Sequence, residues 1–173
     1  PHIADCINSL LNYVRYAVAK GTQYQRDLGA NPFQYGFVGG TDNHNSGTGD
    51  TEEEGNIGSH GPADGSVEER RKGTIDGWIA SKDSNPGAVA GVWATKNTRA
   101  AIWDAMAARE TFVTSGTRLK IRMFGGENLT VPGDGKTLVE SGYRDGVPMG
   151  GTLSGLAKAP TFTVWASKDP DGA

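Results

Sequence analysis

Only one cysteine, Cys6, occurs in the sequence. A single cysteine cannot build a disulfide framework or a cysteine metal cluster, and Cys6 lies among apolar residues, which favours a packed core residue over a nucleophile. No apolar run approaches the roughly 20 residues that span a bilayer, and the N-terminal segment lacks the pattern of a signal peptide. We therefore expect no disulfide framework and no membrane span.

A predominance of one sign of charge is also missing. The formal net charge is -3, and acidic and basic residues are interspersed, so nothing indicates binding to nucleic acid or to an anionic membrane. The chain begins at Pro1 without a methionine and stops at Ala173, in a turn-like segment directly after a predicted strand. These ends favour a fragment of a longer protein.

The sequence does contain a short apolar run that leads into polar residues. Residues 33–38 alternate aromatic and smaller side chains and are followed by two glycines, which predicts a buried strand. Asp42 and His44 come next, two positions apart, and on an extended backbone they point to the same side. A carboxylate and an imidazole placed in this way are ordinary ligands of Zn²⁺ or Mn²⁺. The alternative is a polar turn, which aspartate and asparagine favour.

A helix is predicted before this run and a long loop after it. Apolar residues recur at three- and four-residue spacing from Ile3 to Val18, and the helix can continue to Leu28. A helix followed by a buried strand is half of an α/β repeat. Apolar residues become rare over 45–86, which predicts a surface loop. Within it His60 is a candidate proton carrier, ligand or substrate contact, or else an ordinary loop histidine.

A short charged helix is predicted over 66–72, because Ser66 and Glu69 have the spacing of a capping box. Residues 111–114 are predicted to be extended, and Ser115 follows them in a turn.

A longer helix is predicted over 97–110. Asn97 or Thr98 caps its first turn, and Ile102 and Met106 lie on the face that we expect to pack against the rest of the domain.

The C-terminal third has a different pattern. Residues 119–124 and 161–165 alternate as strands do, and the stretch between them, rich in glycine, proline and aspartate, is predicted to be a loop. The pattern indicates an antiparallel β module of the β-sandwich type or a sheet appended to the α/β part. The boundary is predicted at 116–118.

Several stretches occur together in the order of one family; they are 31–45, 87–94, 97–104, 109–116, 146–151 and 164–173. Together they resemble the C-terminal part of domain-of-unknown-function family 3604. This is a large bacterial family within the PHP-type metallohydrolase superfamily, and its members often carry arylsulfatase-like labels. The resemblance covers nearly the whole chain.

The resemblance implies a fold and a site. PHP-type enzymes hold divalent metals at the C-terminal strand ends of a distorted β/α barrel, and Asp42 and His44 match their last ligand pair. The implied fold is α/β, with the end of such a barrel over 1–117 and the start of the β module over 118–173. The implied activity is hydrolysis of a phosphoester, or of a related ester or sulfate ester, by metal-activated water with Zn or Mn. The family also favours a periplasmic or secreted bacterial protein.

One departure from the family pattern limits this hypothesis. Such enzymes take their first ligands from a His-x-His motif, and the histidines here are His2, His44 and His60. The metal cluster is therefore incomplete in this chain, and we expect the isolated chain to be weakly active or inactive on its small-molecule substrate. Missing barrel strands would leave the edge of the 33–38 strand exposed, which predicts self-association.

Two other functions remain open. The β module from about Leu119 onward could bind a carbohydrate, a lipid or a partner surface without catalysis. Alternatively, Ser115 could act as an esterase nucleophile with His60 and a carboxylate, although the Gly-x-Ser-x-Gly motif that usually presents such a serine is missing.

Overall fold

The structure, a computed structural model, describes residues 13–44, 64–83 except 76 and 78, 87–129 and 133–172. Contacts divide the chain into two units, Pro1–Gly36 and Phe37–Ala173, and each is described by itself. Helices and small antiparallel sheets are mixed along the described residues, which agrees with the predicted α/β class. Within these residues no helix has the length and apolarity needed to cross a membrane.

The first unit contains helix α1, Val14–Leu28. It ends at Gly29, whose φ of 75° is the left-handed conformation that glycine adopts without strain at a helix C-terminus. The predicted helix is therefore confirmed over its described part, and its expected start near Ile3 lies outside the described residues. Within α1 only Gly21 is buried, while Val14 is half exposed. The apolar face is thus less covered than the spacing predicts.

The second unit contains the other elements, which are α2 (Val67–Lys72), β1 (Thr74–Ile75), β2 (Ile79–Ala80), a 3-10 turn (Ser81–Asp83), β3 (Ala90–Val92), α3 (Arg99–Ala107), β4 (Thr111–Val113), β5 (Lys120–Gly126), α4 (Gly135–Asp145), β6 (Val147–Pro148) and β7 (Thr161–Ser167). Its described strands form three sheets, β1–β2, β3–β4 and β6–β5–β7. All of these pairs are antiparallel.

The predicted helix caps form. The Ser66 hydroxyl accepts from the Glu69 N–H at 3.2 Å, and the Glu69 carboxylate accepts from the Ser66 N–H at 2.9 Å, which completes the capping box of α2. At α3 the cap is Thr98, whose hydroxyl accepts from the Ala101 N–H at 3.3 Å. Each cap satisfies an N–H that the first turn leaves without a partner inside the helix.

The predicted packing face of α3 is wrong in one respect. Met106 is 45% exposed, whereas Ala105 is only 7% exposed and forms the buried point of the helix. The helix packs beside β3, and an alanine allows a closer approach than the long methionine side chain does. Ile102, the other predicted packing residue, is partly buried.

The predicted C-terminal strands form, but a helix lies where a loop is expected. β5 and β7 pair along their whole length, from Lys120 opposite Ser167 to Gly126 opposite Thr161. Between them α4 begins at an Asp134 cap. Few apolar residues mark it in the sequence, and tertiary packing stabilises it instead.

The core of the second unit lies between α4 and one face of β5. Phe124 is 1% exposed, Leu138 of α4 is buried as well, and the Phe124 ring meets the Tyr143 ring edge-on at 5.2 Å. A Cβ on Gly142 would collide with the Phe124 ring, so glycine is needed where the helix crosses the strand. The opposite face of the β5–β7 ribbon leaves Phe162 and Val164 exposed.

Contacts cross the predicted boundary at 116–118 within the second unit. The Trp93 indole N–H donates to the Ile121 carbonyl at 2.8 Å, and the Arg109 Nε–H donates to the Gly150 carbonyl at 3.0 Å. The division into 1–117 and 118–173 stays a prediction, and these bonds join residues on its two sides.

Two phenylalanines on this sheet provide a matched test of the core. Phe124→Ala should lower the free energy of unfolding by about 3 to 5 kcal/mol, because it empties the space under α4. Phe162→Ala, at a side chain that is 55% exposed, should cost about 1 kcal/mol or less. Urea denaturation of both variants measures the difference. Equal losses would show that the core does not lie beneath α4.

Candidate functional site

The segment that leads to the predicted metal ligands is not a strand. Residues 33–40 have no ladder with any described strand, so the predicted buried strand over 33–38 is wrong. Tyr35, Phe37 and Val38 are exposed. The physical reason is hydrogen bonding: a strand needs a neighbouring backbone, whereas the Phe37 N–H donates to the Thr111 side-chain hydroxyl at 3.2 Å.

The part of this segment in the second unit runs beside β4. Phe37 contacts Thr111, and two residues later a Cβ on Gly39 would collide with the Val113 side chain. A step of two residues from Phe37 to Gly39 matches a step of two residues from Thr111 to Val113, so 37–39 runs in the same direction as β4. Gly39 is required for this close approach. The chain then leaves toward Asp42 at the end where β4 also finishes.

Asp42 and His44 do come together, although not by strand alternation. Asp42 has a φ of 56°, a left-handed conformation that aspartate and asparagine tolerate better than most residues. The His44 Nε2 atom lies 2.9 Å from the Asp42 Oδ1 atom. The two side chains thus lie on the same side of the chain, and their role as metal ligands stays a prediction.

The pair is hydrogen-bonded and exposed to solvent. In the tautomer that carries a proton on Nε2, His44 donates to the Asp42 carboxylate. The His44 side chain is 57% exposed, and the Asp42 side chain is 86% exposed. A solvent-exposed pair of this kind contributes little to stability.

The donor atoms are close enough to reach one metal ion after a small adjustment. Two ligand atoms about 2.1 Å from a metal lie about 3.0 Å apart at a right angle and about 3.4 Å apart at the tetrahedral angle of Zn²⁺, whereas the hydrogen-bonded Nε2 and Oδ1 atoms are 2.9 Å apart. Among the described residues no group of three or more His, Cys, Asp or Glu side chains is placed to hold a metal. The donor set therefore fits part of a metal site.

The other predicted site residues are not brought together by the described structure. His60 lies outside the described residues, so neither its proposed site role nor its pairing with Ser115 is tested. Ser115 itself lies on an exposed bend after β4. The esterase hypothesis stays a prediction.

A second polar group, which sequence analysis did not indicate, lies beside α3 in the second unit. The Arg122 Nη2 group donates to the Tyr143 hydroxyl at 3.2 Å, and that hydroxyl donates to the Glu110 carboxylate. The Arg122 guanidinium also lies 4.2 Å from the ring centre of Trp93. These residues come from separate elements, so no local spacing in the sequence marks them.

Tyr143 is the group whose protonation this arrangement changes most. Its partial burial, followed by the hydrogen bond to Glu110, raises the pKa of Tyr143 from its ordinary value of 10.0 to about 12, although the positive charge of Arg122 acts in the opposite direction. The phenol therefore remains a neutral donor to Glu110 throughout the physiological range.

A model of the family described as "Protein of unknown function (DUF3604)" matches residues 5–173. The chain belongs to this family. The resemblance seen in the sequence is thereby confirmed at the level of DUF3604. No curated protein and no solved structure matches the chain.

The left-handed backbone conformation of Asp42 can be tested by substitution. Asp42→Asn and Asp42→Gly should leave stability nearly unchanged because both residues accept a positive φ. Asp42→Val should cost about 1 to 2 kcal/mol because its branched Cβ does not fit this conformation. Denaturant midpoints of the three variants measure the order of their stabilities. If the valine variant is as stable as the asparagine variant, residue 42 does not hold a left-handed conformation.

The raised pKa of Tyr143 predicts a late-titrating tyrosine. The folded pKa lies above the unfolded one, so this group's contribution to stability is complete below about pH 10 and is lost as the pH rises toward about 12. Phenolate absorbance should show one component near 12 that is missing in Tyr143→Phe. Tyr13→Phe, at an exposed tyrosine of the first unit, is the control and should retain that component.

Proposed function

We propose that this chain is the C-terminal part of a divalent-metal-dependent hydrolase and that Asp42 and His44 are two of its metal ligands. The observation that carries the proposal is the 2.9 Å separation of His44 Nε2 and Asp42 Oδ1 on an exposed segment. Imidazole nitrogen and carboxylate oxygen form the mixed donor set that Zn²⁺ and Mn²⁺ accept.

One feature of the pair's placement supports a PHP-type barrel, although the described sheets themselves are antiparallel. Residues 37–39 run in the same direction as β4, and the pair lies beyond the end of this segment. In α/β folds with parallel strands, binding sites form where strands end. The barrel assignment and the metal site belong to the same hypothesis, because the barrel would bring the remaining ligands to this end.

The roles of the two residues follow from their chemistry. A divalent metal held there would supply Lewis acidity, which activates water and stabilises negative charge on a phosphoester or sulfate ester. Asp42 contributes a carboxylate oxygen. His44 would bind through Nε2 as the neutral imidazole tautomer that carries its proton on Nδ1, so the hydrogen bond to Asp42 would be replaced by two bonds to the metal.

Metal binding can be measured on this chain with Mn²⁺ as the probe. The ring signals of His44 should broaden in the proton NMR spectrum at lower Mn²⁺ concentration than those of His2. Asp42→Asn and His44→Gln should each weaken Zn²⁺ or Mn²⁺ binding by at least about tenfold, or 1.4 kcal/mol, because each removes one of two ligands. Asp27→Asn, at an aspartate paired with Arg26 in α1, is the matched control and should change nothing.

Two results would contradict the proposal. One is equal broadening of His2 and His44 by Mn²⁺, which would indicate unspecific binding. The other is unchanged affinity in Asp42→Asn. The described residues place no third His, Cys, Asp or Glu side chain beside the pair, so the proposal requires further ligands from outside these residues.

A further inference from the structure

A cleft of about 480 Å³ opens beside α3 in the second unit. Neither Asp42 nor His44 is among the residues that line it. Its polar walls come from Asp104 of α3, Glu110 before β4, Arg122 of β5 and Tyr143 of α4. Its apolar lining consists mainly of small side chains, namely Ala94, Ala101, Ala105 and Ala108. The volume lies within the range of small-molecule sites, and a few polar groups converge on an apolar wall, as in such sites.

The central cation of the cleft is held in place before any ligand binds. The Arg122 guanidinium lies over Trp93 at 4.2 Å and over Tyr143 at 5.2 Å from the ring centres. The Trp93 ring is itself fixed by its indole hydrogen bond to the Ile121 carbonyl at 2.8 Å. A group held on both sides loses little conformational freedom on binding, which favours affinity.

Arg122 lines the cleft with its guanidinium group, whose Nη2 atom donates to the Tyr143 hydroxyl. Its Nε atom is buried and has no hydrogen-bond partner among the described residues, so the Nη groups are the donors that a ligand in the cleft would meet. One Glu110 oxygen accepts from the Tyr143 hydroxyl, which leaves the other oxygen able to accept. The cleft thus offers donors on Arg122 and acceptors on Glu110 and Asp104 at the same time.

These groups discriminate between classes of ligand. Two carboxylates, Asp104 and Glu110, outnumber the single guanidinium, so an anion meets net repulsion. A cation would lie close to the charge of Arg122. Neutral hydroxyl groups both donate and accept, so a molecule that carries several of them can pair with the carboxylates and the guanidinium together. Its C–H surface can pack on the alanine wall.

We propose that the cleft lined by Asp104, Glu110, Arg122 and Tyr143 binds a neutral sugar of one or two rings. The sugar hydroxyls accept from Arg122 and donate to the two carboxylates. The Tyr143 hydroxyl is a positioning group, because it joins Arg122 to Glu110 and sets their separation. The proposal does not depend on metal binding at Asp42 and His44.

The proposal can be tested by NMR titration of the whole chain. The neutral probes are D-glucose, D-galactose, N-acetyl-D-glucosamine and maltose; acetate, ethylammonium and L-alanine represent an anion, a cation and a zwitterion. We expect saturable shifts of the Trp93 indole N–H with at least one neutral sugar. Glu110→Gln and Tyr143→Phe should each weaken that sugar's binding about tenfold or more, since each alters a charge or a bridge in the cleft.

The controls separate binding from folding. Glu140→Gln, at an exposed glutamate on α4 outside the cleft, should leave sugar binding unchanged. If Tyr143→Phe fails to fold, Asp104→Asn decides, because Asp104 is exposed on α3 and should weaken binding without loss of structure. The proposal is overturned if none of the four neutral sugars binds saturably. It is also overturned if only a charged or zwitterionic probe binds. Sugar binding that is unchanged in the cleft variants would overturn it as well.

Discussion

Trp93 joins two sheets of the second unit through a hydrogen bond and through ring contacts. It follows β3, and its indole N–H donates to the Ile121 carbonyl of β5 at 2.8 Å. Its ring also meets those of Phe112 on β4 and Trp165 on β7. One residue thus joins the β3–β4 pair to the β5–β7 ribbon, and aromatic contacts of this kind stabilise beyond the area that they bury.

The same side chain connects the fold to the proposed sugar site. A hydrogen bond and two ring contacts hold Trp93 in place. The Arg122 guanidinium therefore lies over a rigid ring. The arginine then reaches Tyr143, and through it Glu110. The contacts of Trp93 that join the sheets therefore also position the polar groups of the cleft. The proposed metal-ligand pair has a different origin, since Asp42 and His44 are neighbours in the chain and meet through the local backbone conformation of Asp42.

Features that depend on neighbouring residues could be predicted from the sequence. The Ser66–Glu69 capping box, the Thr98 cap and the end of α1 at Gly29 all form as expected, because each is decided within one helical turn. α4 was missed, since its stability comes from packing against Phe124 and not from its own composition. The strand predicted over 33–38 fails because strand formation requires a partner backbone, which no local pattern supplies.

The sequence by itself determined the family, the mixed α/β class and the closeness of Asp42 and His44, for these follow from motifs and short spacing. Only the structure decided how that pair meets, through a left-handed backbone conformation at Asp42 in place of an extended strand. It also decided the cleft, because Glu110, Arg122 and Tyr143 are far apart in the chain and meet only when α3, β5 and α4 pack. Local propensities act over a few residues, whereas a site shared by three elements exists only once those elements are in contact.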